Sequence, residues 1–236
     1  MGPALPLFPL GTVLLPGLVL PLHVFEDRYR ALVRRLMDLP EGTPREFGVV
    51  AIQQGWEVER TAVERAPSAT GQRTPVSLYD IGCSAELRQV TELDDGGFNI
   101  VTVGRRRFRL GSVDTDTQPY LTADVEWLPE SAGEPGVADA LAPGVLAVFQ
   151  RYLGRIRAQT DQTGEQLPDD PTVLSYLIAA STSLTLDDRQ HLLALPDTAA
   201  RLRAERGLLT REVAILDQVR AVPVPLAELA VPSSPN

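Results

Sequence analysis

The run Gly104-Arg105-Arg106-Arg107-Phe108-Arg109-Leu110 concentrates guanidinium groups in one short segment. Side chains of an extended strand alternate between faces, which predicts Arg105, Arg107 and Arg109 on one side and Arg106, Phe108 and Leu110 on the other. A row of guanidiniums can grip phosphates or the carboxylates of a peptide through paired N–H donors. The competing expectation is a solvated strand face whose arginines pair with nearby Asp or Glu. A net charge of −9 favours that second expectation and disfavours general affinity for nucleic acid.

Acid–base and metal chemistry have few candidates. The chain has 2 histidines, His23 and His191. His191 sits in Asp187-Asp188-Arg189-Gln190-His191-Leu192-Leu193, which reads as a surface position on a short helix. His23 lies where N-terminal strands give way to the first helix, but no Ser stands in a nucleophile-elbow pattern to accompany it. Cys83 is unpaired, the histidines are not at helical spacing, and no Ca²⁺ loop pattern occurs, so neither a metal site nor a cofactor is expected. Asp169-Asp170 and Asp187-Asp188 precede or start helices, where capping explains them. All 22 basic residues are arginine, which rules out a Walker A lysine, a Schiff-base lysine and a Ser–Lys dyad within this sequence. These residues predict binding without catalysis.

The elements that must position these groups follow from patterning. A chain of 236 residues with 44% apolar content can fill a sizeable core. The single cysteine suits a reducing compartment. The apolar N-terminus lacks a basic leader region and is broken by Pro3, Pro6, Pro9, Pro16 and Pro21, so it does not read as a signal peptide. No segment offers the ~20 apolar residues of a membrane span, and the cytoplasm is the expected location. Short apolar runs over 5–25, separated by Pro and Gly, predict buried strands. Phe25, Tyr29, Leu32, Val33 and Leu36 then recur at helical spacing, with Glu26 and Asp27 in the first turn. Strands are expected over 47–52, 78–90, 98–103, 107–113 and 120–128, with Asp95-Gly96-Gly97 turning a hairpin. The stretch 60–75 reads as a loop.

Pro129 to Gly136 marks a boundary, after which the pattern turns helical. Leu146, Phe149, Leu153 and Ile156 predict one apolar stripe, and Leu174, Leu177 and Ile178 another. Thr185, with Asp188 three residues on, predicts a capped short helix, and Asp197 or Thr198 caps a longer one carrying Leu202, Leu209, Val213 and Leu216. The expected organisation is α+β: a mostly antiparallel β-barrel subdomain with one early helix over 1–128, a Pro/Gly linker over 129–142, a C-terminal α-helical bundle over 143–220, and a Pro-rich tail over 221–236.

The N-terminal signature from Leu5 through His23-Val24-Phe25-Glu26-Asp27-Arg28-Tyr29 resembles the substrate-binding N-terminal domain of Lon proteases. So do Asp80-Ile81-Gly82-Cys83, the Gly104–Leu110 run, Pro119-Tyr120-Leu121-Thr122-Ala123, Gln190-His191-Leu192-Leu193 and Ala200-Arg201-Leu202, in that order along 5–220. The resemblance implies a PUA-like barrel followed by a helical bundle, and a stand-alone module without the ATPase and protease domains of full-length Lon. It further implies unfolded or tagged polypeptides as partners and an ATP-dependent protease as a possible recipient of them, with no membrane partner. Binding is expected in an apolar groove between barrel and helices, with arginines at its rim recognising acidic groups, at Phe25, Arg28 and Tyr29, with Glu26 capping the helix or pairing with an arginine. RNA binding through Arg105, Arg107 and Arg109 is the alternative that PUA-like barrels suggest.

Overall fold

The computed structural model describes residues 4–54, 77–156 and 167–219. The expected 60–75 loop and 221–236 tail lie outside the described residues. The described strands are β1 (Leu5–Leu10), β2 (Val19–Val24), β3 (Glu46–Gln54), β4 (Ser77–Leu78), β5 (Ile81–Glu92), β6 (Phe98–Asp114) and β7 (Thr122–Trp127). The helices are α1 (Asp27–Met37), α2 (Val137–Ile156), α3 (Pro171–Ser181), α4 (Leu186–Ala194) and α5 (Thr198–Val219).

Sheet order β1-β7-β6-β5-β3 closes on itself because β1 also runs parallel to β3, pairing Leu7 with Gly48 and Leu10 with Ala51. The other pairings are antiparallel. Closure leaves little edge to protect. The long strand β6 pairs with β2 through its first half and with β7 through its second. Gly96, at φ 78°, turns the β5–β6 hairpin, and Gly97 N–H donates to Asp95 Oδ1 at 2.9 Å. Helix α1 plugs one end of the barrel with Tyr29, Leu32, Val33 and Leu36, which pack on Phe8, Phe47, Phe98 and Ile100.

Gly104 is needed where the chain before β2 crosses β6. Its N–H donates to Leu18 O and its carbonyl accepts from Gly17 N–H, both at 2.8 Å. A Cβ there would sit 2.2 Å from Leu15 O, a backbone atom that cannot swing away. Gly104→Ala is expected to cost about 1–3 kcal/mol by overpacking, read as a lower thermal midpoint. An unchanged midpoint would show that the crossing chain can retreat freely.

Two helical expectations shift. Helix α2 begins at Val137, within the stretch expected as linker, and continues through Pro143. Its buried face is Ala138, Ala142, Val145, Phe149 and Tyr152, and this packing outweighs the local penalty of the proline. The stripe is therefore rotated from the expected one: Phe149 belongs to it, Leu146 and Leu153 flank it, and Ile156 is 39% exposed. Caps follow the sequence pattern. Asp170 Oδ1 accepts from Thr172 and Val173 N–H, Thr185 Oγ1 from Asp188 N–H, and Asp197 Oδ1 from Ala200 N–H.

Candidate binding cleft

Strand β2 is bonded to β6 along one edge, and its other edge approaches β1 without pairing among the described residues. A cleft of about 230 Å³ opens along that seam. Phe8, Leu10, Leu22, Val24 and Ile52 give it apolar walls. Tyr29, delivered by the first turn of α1, stacks on Phe8 with ring centroids 3.9 Å apart and an interplanar angle of 11°. Helix α1 starts at Asp27, two residues later than the apolar spacing suggests. Phe25 is thereby released from the buried stripe and stands at the lip, 59% exposed.

The lip is charge-balanced. Arg28 lies 4.5 Å over the Tyr29 ring and pairs with Glu26 Oε2 through Nη2 at 2.7 Å and Nε at 2.9 Å. Glu26 occupies the N-cap position of α1 but makes no side-chain cap bond, so it serves the arginine instead. His23 Nδ1 lies 2.9 Å from Asn99 Oδ1, an acceptor, so the ring donates there, and its face lies near Phe25. His191 is exposed on α4. Burial pushes the Cys83 thiol up to about 12, which keeps it protonated and unreactive at neutral pH.

Phe25, Arg28 and Tyr29 are thus brought together, whereas the arginine strand is split. The β5–β6 register shifts between Cys83–Arg107 and Ala85–Gly104, so Arg105 and Arg106 both face Ser84 across a bulge. Alternation fails there, and the expected single face of Arg105, Arg107 and Arg109 does not form. Arg105 pairs with Glu86 at 3.0 Å, and Arg109 with Glu126 at 2.8 Å. Arg106 pairs with Glu46 at 3.6 Å and covers the Trp127 ring at 3.8 Å. Arg107 is turned inward with 1% of its side chain exposed.

The expected groove between the barrel and the C-terminal helices is not open. Leu15, Ile81, Tyr176, Ala179, Leu192 and Leu193 fill that junction. Arg107 crosses it, pairing with Glu130 and donating to Leu193 O at 2.9 Å, Leu195 O at 2.5 Å and Pro129 O at 3.1 Å. Tyr176 Oη donates to the other Glu130 oxygen at 2.8 Å, and Gln190 Nε2 donates to Ile81 O at 2.8 Å. Behind this, Arg201 stacks on Tyr176 at 3.8 Å and donates to Ser175 Oγ, which in turn donates to Glu205 Oε1.

The sequence model of the ATP-dependent protease La (LON) substrate-binding domain matches residues 4–211. The chain belongs to this family. Lon protease 2 of Syntrophobacter fumaroxidans is 27% identical over 213 residues, and the match covers 89% of this chain. Lon protease 2 of Herpetosiphon aurantiacus is 29% identical over 217 residues, or 90% of this chain. The chain spans only 24% of each of these relatives' length. Among solved structures, the N-terminal domain of Mycobacterium avium complex Lon protease matches at a TM-score of 0.63 and 20% identity, covering 90% of this chain and 98% of that one. A Lon N-terminal domain protein from Xanthomonas campestris matches at 0.55 and 24% identity, covering 88% of this chain and 98% of that one. At these identities the structures speak to fold, and the fold is the Lon N-terminal domain's: a PUA-like barrel with a C-terminal helical part.

Proposed function

We propose that this Lon-family substrate-binding domain captures exposed apolar segments of unfolded or tagged polypeptides in the β1–β2 cleft, without catalysing their cleavage. In this reading it acts in the cytoplasm as a client binder or adaptor for a separate ATP-dependent protease. The supporting observation is an apolar cleft that the described residues leave open beside an otherwise closed barrel, with Phe25 exposed at its lip. The RNA alternative has less support, because Arg105, Arg106, Arg107 and Arg109 each already have a glutamate partner.

The test is binding of reduced, carboxymethylated α-lactalbumin, a permanently unfolded chain, to the protein and to Phe25→Ala combined with Arg28→Ala. The double variant is expected to bind about ten-fold or more weakly, ~1.4 kcal/mol, with circular dichroism unchanged. Equal binding by an intact double variant would overturn the assignment of the cleft. Apolar capture should also survive high salt, whereas binding that falls steeply with salt would point to phosphate-type contacts.

A further inference from the structure

The helical part carries arginines that its own fold does not use. Among the described residues, the exposed side chains of Arg151 on α2 and of Arg203 and Arg206 on α5 make no hydrogen bond, ion pair or ring contact. Every other described arginine side chain reaches a carboxylate, a carbonyl, a hydroxyl or a ring. The unused arginines also share one surface. Helices α2 and α5 run side by side in the same direction. Thr198 N–H donates to Ser131 O at 2.9 Å beside their starts, and Arg155 pairs with Asp217 at 2.9 Å beside their ends. The Arg155–Asp217 pair marks the flanks on which the two helices meet. Arg151 lies one turn behind Arg155 on its flank of α2, and Arg206 and Arg203 lie about three and four turns behind Asp217 on its flank of α5. With Arg155, these guanidiniums line the valley between the helices over about 20 Å. Gly144, Val148 and Thr210 occupy the intervening positions, and Asp217 is the only acid on either stripe.

We infer that this valley docks an acidic helical segment of another protein, at a surface independent of the β1–β2 cleft. A strip of arginines without carboxylates, on a chain whose net charge is −9, asks for carboxylates from outside. Guanidinium and carboxylate pair through parallel hydrogen bonds, so each arginine offers a directed contact. One exposed pair is weak after screening and side-chain ordering, so recognition needs several carboxylates in register. A helix with an acid every three or four residues supplies them, because that spacing places them on one face. About four turns of such a helix match the length of the strip. Nucleic acid fits less well, since the whole chain's negative charge repels a long polyanion at a distance, whereas a short acidic segment meets the strip locally.

The test titrates the full chain into a fluorescein-labelled alanine-based peptide of about four turns, with glutamates at three- and four-residue spacing, and follows anisotropy at low salt. The glutamate peptide is expected to bind, and to bind about ten-fold or more tightly than its glutamine counterpart. Its binding should fall as salt rises. Arg151→Gln combined with Arg203→Gln and Arg206→Gln should weaken binding about ten-fold or more while the thermal midpoint stays put, because these side chains hold nothing in the fold. Phe25→Ala combined with Arg28→Ala should bind the glutamate peptide as the parent does. No binding to the parent, equal binding of the glutamine peptide, or unchanged binding by the triple variant would overturn the inference. Loss of binding in the Phe25 and Arg28 variant would move the acidic segment to the lip of the cleft and overturn it as well. An oligothymidylate of similar length that binds about ten-fold more tightly than the glutamate peptide would assign the strip to phosphates instead.

Discussion

Arg107→Met should lower the unfolding free energy by about 3 kcal/mol, towards the lower end of the ~3–5 kcal/mol seen when one partner of a buried ion pair is removed. The methionine fills much of the arginine's volume but supplies no donor. Glu130 would keep only the Tyr176 hydroxyl, and the carbonyls of Pro129, Leu193 and Leu195 would lose their shared guanidinium. Two of those carbonyls close helix α4, where a cation also opposes the negative end of the helix dipole. Water can reach Glu130, whose side chain is 33% exposed, and this recovers part of the loss. Arg107→Lys should recover less than half, because an ammonium cannot satisfy a carboxylate and three carbonyls spread around a planar fork. Urea denaturation measures all of these. A loss under about 1 kcal/mol for Arg107→Met would show that the apolar junction holds barrel to helices without the arginine.

The consequence for function is that the barrel and the helical part form one packed body whose junction is unavailable to a ligand. One β6 arginine that the sequence offers as a phosphate contact is instead the bolt of that junction. Strand alternation could not reveal this, because it assumes an unbroken ladder. The bulge opposite Ser84 is a pairing property, visible only once β5 lies beside β6. The glutamate partners come from β3, β5, β7 and the stretch after β7, and no local window of sequence contains them all.

Other parts were legible for local reasons. The β5–β6 hairpin, the caps at Asp170, Thr185 and Asp197, and the α1 stripe from Tyr29 onward depend on residues within a few positions of one another, and they form where their chemistry predicts, whereas Phe25 at the head of the expected stripe does not join it. The cleft was half legible. Phe25, Arg28 and Tyr29 are close in sequence and meet at its lip, but Phe8, Leu10 and Ile52 arrive from β1 and β3 and depend on barrel closure. The rotation of α2 was hidden because Ala138 and Ala142 carry the stripe, and alanine signals burial weakly. One polar signal lay open in α5. Arg201 and Glu205 recur at helical spacing with Leu202, Leu209 and Val213, which puts an ion-forming pair on a core-facing stripe.

Glu205 of that pair adds a pH dependence of its own to the stability of the fold. Glu205 is buried, and desolvation raises its carboxyl from 4.5 to about 8 despite the Ser175 hydrogen bond and the charge of Arg201. Arg201 reaches it through Ser175 Oγ, at 2.6 Å from Arg201 Nε and 2.9 Å to Glu205 Oε1, while Glu205 Oε2 has no hydrogen-bond partner among the described residues. Below about pH 4.5 the carboxyl is protonated in both folded and unfolded chains and contributes no difference. Between there and about pH 8 the folded protein keeps a proton that the unfolded chain releases, so stability falls as pH rises and the loss is complete above that window. At 1.36 kcal/mol per unit the contribution approaches roughly 3–5 kcal/mol by its alkaline end. Glutamine has the shape of the neutral acid and can still accept from Ser175. The stability of Glu205→Gln should therefore match the parent protein near pH 5 and exceed it increasingly towards pH 8, with every other titrating group cancelling in the difference. Urea titrations of both proteins at intervals across that range give the curve directly. A flat difference would mean that Glu205 is ionised in the fold throughout, with Arg201 holding its charge. A difference that rises with pH would identify a neutral acid at the centre of the helical core, and with it a barrel held to a helical scaffold that loosens as the pH climbs.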